Sequence, residues 1–118
     1  MRLVETLIYR LKPGTGAEFH RLVQEQSLPL HESFRMDIVD HGQSEHHPDA
    51  YFLIRAYDNL EHLDASQDAL YTSDEWRKGL RSAIIELIAE NLKSTTWLSE
   101  AAIEETRLAG MRRRSIGG

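Results

Sequence analysis

An α+β domain built on a four-stranded antiparallel sheet is the fold class this 118-residue sequence predicts. Three observations carry that expectation. Arg2–Leu11 and residues 50–57 alternate in the two-residue period of a strand. Two other stretches repeat apolar side chains every three or four positions, as amphipathic helices do. The order is strand, helix, strand, strand, helix, strand, the split βαβ arrangement of ferredoxin-like folds, with both helices on one sheet face.

In the first strand, Val4, Thr6 and Ile8 make one side and Leu3, Glu5, Leu7 and Tyr9 the other. Lys12-Pro13-Gly14 stops it. Thr15 has Glu18 three residues on, the spacing of a capping box. Phe19, Leu22 and Val23 then form a stripe that must cover a sheet, and Pro29 interrupts this helix. Residues 36–43 read as the second strand, with Met36 and Ile38 on the core side and Val39, His41 and Gln43 on the other. Residues 44–49, which contain Pro48, read as a polar loop joining a hairpin. Asp58-Asn59 caps a second helix whose stripe includes Leu60, Leu63, Gln67 and Leu70. The pattern breaks at Tyr71-Thr72-Ser73 and resumes from Trp76 to Ile88, the longest helical signal in the chain. Residues 92–98 read as the final strand. Residues 1–99 therefore make the domain, and residues 100–118 a C-terminal extension with a basic, solvated tail.

Composition narrows the function classes. There are no cysteines, which excludes thiol nucleophiles, thiolate metal sites and disulfides. The net charge of −5 is unevenly spread: four arginines and no acid lie in residues 107–118, leaving 10 basic against 19 acidic residues before them. An acidic body argues against nucleic acid as a partner. Charged Arg2, Glu5 and Arg10 argue against a leader peptide, and no apolar run approaches the roughly 20 residues of a membrane helix. A cytoplasmic protein without membrane or nucleic-acid partners is the expectation.

In residues 50–57, Phe52, Ile54 and Ala56 alternate with Tyr51, Leu53, Arg55 and Tyr57. The first set is expected to pack with Val4 and Ile8 against Phe19, Leu22, Leu80, Ile84 and Leu87. The second set then lies bare with Leu3, Leu7 and Tyr9, too large an apolar patch for a monomer. Packing it on a second copy gives a two-fold, closed barrel, and a homodimer is expected on that ground.

Residues 3–98 resemble the NIPSNAP family of dimeric α+β barrel proteins. The resemblance rests on Glu5, Tyr9 and Lys12-Pro13-Gly14, on Tyr57, Asn59 and Leu60, and on Ser66-Gln67-Asp68-Ala69 and Ser73-Asp74-Glu75-Trp76. Two positions depart from it: Leu7 stands where the family has Arg, and Arg55 where it has Trp. The resemblance implies a dimeric barrel of uncharacterised function, whose wider relatives include cofactor-free monooxygenases and isomerases.

Glu5, Tyr9, His41, Tyr51, Arg55 and Tyr57 are expected on one inner face. There Arg55 could hold an anionic oxygen through paired N–H donors, His41 act as general base, and Tyr9 and Tyr57 orient. Glu5, Tyr51 and Trp76 complete a binding site for a small organic molecule, with no cofactor and no metal. The competing reading is a Glu5–Arg55 ion pair that stabilises a non-catalytic dimer, with the tyrosines and Trp76 as packing. His46, His47 and Asp49 read as loop residues rather than metal ligands, since adjacent side chains on extended chain point apart. His20, His31 and His62 read as surface or satisfied residues. No phosphate loop, nucleophile elbow or dinucleotide fingerprint is present.

Overall fold

The computed structural model describes residues 1–116. Four strands, β1 (Arg2–Leu11), β2 (Asp37–Ser44), β3 (His47–Tyr57) and β4 (Ile88–Leu98), form one antiparallel sheet in the order β2-β3-β1-β4. That order is the one the split βαβ connection produces, so the expected fold class holds. Between β1 and β2 the chain forms α1 (Gly16–Leu22), a π-helical stretch (Val23–Ser27) and α2 (Leu28–Ser33). Between β3 and β4 it forms α3 (Leu60–Tyr71), a second π-helical stretch (Trp76–Leu80) and α4 (Arg81–Ile85). A last helix, α5, runs over Glu100–Ile116.

The sheet faces are exchanged relative to the sequence expectation. Leu3, Glu5, Leu7, Tyr9 and Leu11 of β1 and Tyr51, Leu53, Arg55 and Tyr57 of β3 lie under the helices. Leu11 and Tyr51 pack with Phe19, Leu22, Val23, Leu80 and Ile84. Leu3 and Tyr57 pack with Leu63 and Leu70 of α3. The helical stripes were placed correctly, but they cover the other side. The physical reason is volume: leucines and tyrosines reach across the gap between sheet and helices, which short β-branched side chains do not fill. Glu5 and Arg55 can join them because they are direct partners across the β1–β3 ladder and neutralise one another.

The opposite face carries Val4, Thr6, Ile8, Phe52, Ile54 and Ala56. Part of it is covered by α5, whose Ile103 packs with Val4, Val39 and Ala56. The expected solvated tail is thus a docked helix: Arg107 donates to Asp37, and Arg113 and Arg114 donate to Asp40. Buried Gly110 brings the α5 backbone against Asp40, where a Cβ would collide with the carboxylate.

Local differences have local causes. Thr15 does not cap α1; its hydroxyl donates to Lys12 O, and Glu18 is taken up by Arg21. The α1 N-terminus is held instead by Asp49 of β3, which accepts from the N–H groups of Gly14 and Gly16. Pro29 does not break the helical run: it follows the π-helical turns of Val23–Ser27, where Leu28 N–H reaches back to Val23 O and the widened ladder accommodates the missing N–H. Strand β3 begins at His47, so the expected polar loop shrinks to Glu45-His46. Asn59 caps α3 as expected, accepting from His62 N at 2.8 Å. The helical signal from Trp76 ends at Ile85 rather than near Asn91, and β4 starts at Ile88. Among the described residues no helix is long and apolar enough to cross a membrane.

Candidate functional site

Arg55 is the centre of a buried polar network between sheet and helices. It is 2 % exposed and Glu5 0 %. Arg55 Nε donates to Glu5 Oε1 at 2.8 Å. Its NH1 donates to Tyr71 Oη at 2.8 Å and meets His31 Nε2 at 3.1 Å. Gln67 Nε2 donates to Glu5 Oε2 at 2.7 Å and to Tyr57 Oη at 3.3 Å. Lys93 of β4 brings a second cation to 3.7 Å from Glu5 Oε2. Each partner is placed by its element. Gln67 and Tyr71 lie four residues apart on α3, hence on one helix face. His31 stands on α2, directed inward by a 2.7 Å hydrogen bond from Nδ1 to Ser27 O.

That bond fixes the His31 tautomer. With Nδ1–H donating to a carbonyl, Nε2 is the lone-pair acceptor for the guanidinium. Burial pushes the His31 pKa down to about 4, reinforced by the Arg55 charge and opposed by the Ser27 hydrogen bond. The ring is therefore neutral at pH 7 with both nitrogens engaged. Burial alone would lower the Arg55 pKa; Tyr71, Tyr57 and Glu5 outweigh it and hold the pKa above its ordinary value.

Beside this network lies a small, partly closed chamber of about 30 Å³, room for a water molecule or two. Tyr9, Phe19 and Tyr51 wall one side; Tyr71, Trp76 and Ile84 wall another; His31 closes the polar end. The aromatic lining falls into two packed groups, with the Phe19 ring centroid 5.4 Å from that of Tyr9 and 5.0 Å from that of Tyr51, and the Trp76 centroid 5.1 Å from that of Tyr71. Both π-helical stretches border it, through Val23 and Ser27 on one side and Trp76 on the other. Such wide turns are over-represented at functional sites. Burial raises the phenol pKa values of Tyr9 and Tyr51, and that of Tyr57 to about 12, so all three stay protonated donors.

Arg55 does not itself line the chamber; Tyr71 and His31, which it holds, do. Because Tyr71 Oη accepts from Arg55, its own O–H proton is left to donate elsewhere, and the guanidinium polarises it. Of the residues singled out in the sequence, Tyr9, Tyr51 and Trp76 wall the chamber and Glu5, Arg55 and Tyr57 belong to the network behind it.

His41 is not brought to this site. A β-bulge between Ile38 and Asp40 turns Val39 and Asp40 towards α5 and returns His41 to the helix side. It lies at the sheet edge, its ring centroid 6.3 Å from that of His20. His20 Nδ1 pairs with Tyr51 Oη at 2.7 Å. The sequence reading passed over His31, Gln67 and Tyr71. The available signals were the four-residue spacings Ser27–His31 and Gln67–Tyr71 on helices whose stripes face the sheet. Among the described residues no group of three or more metal-ligating side chains converges.

No family model matches the chain, and no curated protein does. Solved structures do. A NIPSNAP family protein from Agrobacterium tumefaciens superposes with a TM-score of 0.77 at 17 % identity, over 85 % of this chain and 95 % of that one. An uncharacterised NIPSNAP domain protein from Burkholderia xenovorans gives 0.74 at 18 %, over 83 % and 95 %. A candidate antibiotic biosynthesis monooxygenase from Nitrosomonas europaea gives 0.60 at 18 %, over 81 % and 97 %. The chain thus has the fold of these NIPSNAP proteins, shared at a lower TM-score with the candidate monooxygenase.

Proposed function

We infer that this chain binds a small planar organic molecule in the aromatic chamber between its sheet and helices, and works as a homodimer. The observation that carries the binding reading is the chamber itself: a partly closed, aromatic-lined space bordered by both π-helical stretches and by the Arg55-held Tyr71 and His31. Its present volume suits water. A ring-sized ligand enters by parting the helices at the two π-helical stretches, where the helical hydrogen-bond ladder is already irregular. The Tyr71 hydroxyl, polarised by Arg55, would donate to a carbonyl or phenolic oxygen of the ligand.

The same donor supports a second, catalytic reading. A cofactor-free isomerase- or monooxygenase-like reaction passes through an enolate or phenolate, and a charge-backed phenol facing a small aromatic-walled chamber, from which a ring-sized ligand would displace water, stabilises such an oxyanion. In this reading Tyr71 and Tyr9 face the substrate, and Arg55 acts through Tyr71. A dimer stapled by the polar cluster has less support, because Glu5 and Arg55 pair within one chain, beneath its own helices.

Thermal shift with acetophenone and phenol as probes tests the binding reading. Either probe should raise the melting temperature in a concentration-dependent way, and Tyr71→Phe should weaken the effect by about tenfold in concentration, as one lost polar contact would. No shift with either probe at millimolar concentration, or equal shifts in wild type and a chamber-filling Val23→Phe, would overturn it.

A further inference from the structure

We propose that the edge of the sheet where α5 ends forms a second binding site, for a small oxyanion of the phosphate or carboxylate class, built by Arg114, Arg113 and His41. It is separate from the aromatic chamber and goes beyond the reading of that chamber.

Charge count is the first argument. Arg113 and Arg114 both donate to the single Asp40 carboxylate, at 2.8 Å and 2.6 Å to the same Oδ1. Asp40 is 5 % exposed, so the shared counter-ion is buried and fixed. Two guanidiniums on one carboxylate leave one positive charge uncompensated. Nearby acids do not cancel it locally: Asp37 is engaged by Arg2 and Arg107, and Glu32 and Glu45 stand exposed at the rims.

Donor geometry is the second argument. Among the described residues, the contacts to Asp40 use only NH2 of Arg113 and NH1 of Arg114. The other guanidinium nitrogens make no hydrogen bond there, although Arg113 is held over the Phe52 ring at 5.5 Å. Arg114 lines two open clefts, of about 330 Å³ and about 280 Å³, and His41 lines both as well. The forks are thus pre-positioned with vacant donor sites, which is what bidentate recognition of an oxyanion needs.

His41 supplies the third argument. It is 6 % exposed, and its Nδ1 is buried without a partner. An orphaned buried N–H is rarer than an orphaned lone pair. The favoured tautomer therefore keeps the proton on Nε2, where it can donate to a ligand between His41 and Arg114. Gln24, Gln43 and His20 line the same smaller cleft and add polar partners.

The test follows His41 directly. Inorganic phosphate and acetate are titrated into the full chain at constant ionic strength, with chloride as the balancing anion, while the imidazole resonances of His41 are read by NMR. A saturable shift of the His41 ring is expected with phosphate or with acetate, and the tighter of the two assigns the class. Arg114→Gln should weaken it by about tenfold, the cost of one charge-assisted hydrogen bond. Arg112→Gln, on an exposed neighbour, should leave it unchanged. A His41 ring that moves with neither anion, that responds equally to chloride, or that loses its response equally in both variants would overturn the proposal. Because Arg114→Gln also removes a contact of α5, its helix content is checked by circular dichroism; the wild-type His41 response decides the matter without it.

Discussion

Arg55 and Glu5 are the residues on which both the core and the site depend. They are fully desolvated, directly opposed in the β1–β3 ladder, and saturated by Gln67, His31 and Tyr71. Removing one partner leaves a buried charge uncompensated, so Arg55→Met should cost about 3–5 kcal/mol of stability. Adding Glu5→Leu should restore much of it, since no buried charge then remains. Urea denaturation of the two variants checks both statements. His31 gives a pH signature. Its pKa falls from the 6.5 of a free imidazole to about 4 in the folded chain. The unfolded chain therefore binds the proton first, and stability present above pH 6.5 is lost as pH falls towards 4. The loss amounts to about 3 kcal/mol, and His31→Gln should make the pH profile of urea stability shallower over that window, leaving the slope of His41, whose pKa burial likewise lowers to about 4. The sequence names Glu5 and Arg55 as a pair because alternation puts both on one face of two legible strands; that they are direct partners in register is what the structure adds. It did not name His31, because a histidine at helical spacing reads the same whether it faces water or a guanidinium. Alternation puts His41 on the sheet face of Leu53 and Arg55, where it lies, but misplaces Ile38 and Val39, because the bulge between Ile38 and Asp40 leaves no mark in a two-residue period.

At the scale of elements, long-range contacts settle what local patterns could not. Strand β1 and the start of α3 follow from alternation and the Asn59 cap, and both were legible. The α1 start was legible in position, at Thr15, but not in what holds it, because the accepting carboxylate is that of Asp49, thirty-three residues away from Gly16. Gly16 lies so close to the β3 backbone that a Cβ would strike Pro48 O. Gly16→Ala should therefore destabilise by about 1–3 kcal/mol or more through forced backbone shifts, read as a lower urea midpoint. The sequence allows a helical turn or two over residues 100–108 and reads a solvated tail from Ala109, because the stripe of α5 is weak and its arginines are many. Its docking depends on Asp37 and Asp40, acids whose partners lie some seventy residues on. Gly110→Ala should push α5 off Asp40, and Arg107 and Arg113 then lose their fixed partners. Hydrogen exchange should show faster amide exchange across α5 in this variant, with β1 unchanged. Protection equal to wild type would mean that the Asp40 clamp does not hold the helix.

For the whole molecule, the face exchange redirects the dimer expectation. The helix-covered side is already filled, and the open side carries Ile8 and Leu92, which are 49 % and 70 % exposed. Helix α5 covers the β2 side of that face, so the β4 side is what a second copy would occupy. Leu92→Glu should convert a dimer at micromolar concentration into a monomer in sedimentation velocity; a wild-type chain that is itself monomeric there would contradict the dimer reading. The swap of faces was invisible in the sequence because both sides of β1 and β3 are apolar, and only volume against the helices tells them apart. The exchange also places the polar cluster beside a chamber inside each chain rather than between two chains. The two tryptophans report on that chamber: Trp76 lines it, whereas Trp97 of β4 is half exposed and does not. Titrating acetophenone while following the two indole N–H resonances by NMR tests ligand binding in the chamber directly. A saturable shift of Trp76 with Trp97 unmoved is the predicted result; two indoles that stay still, or move together, would contradict it.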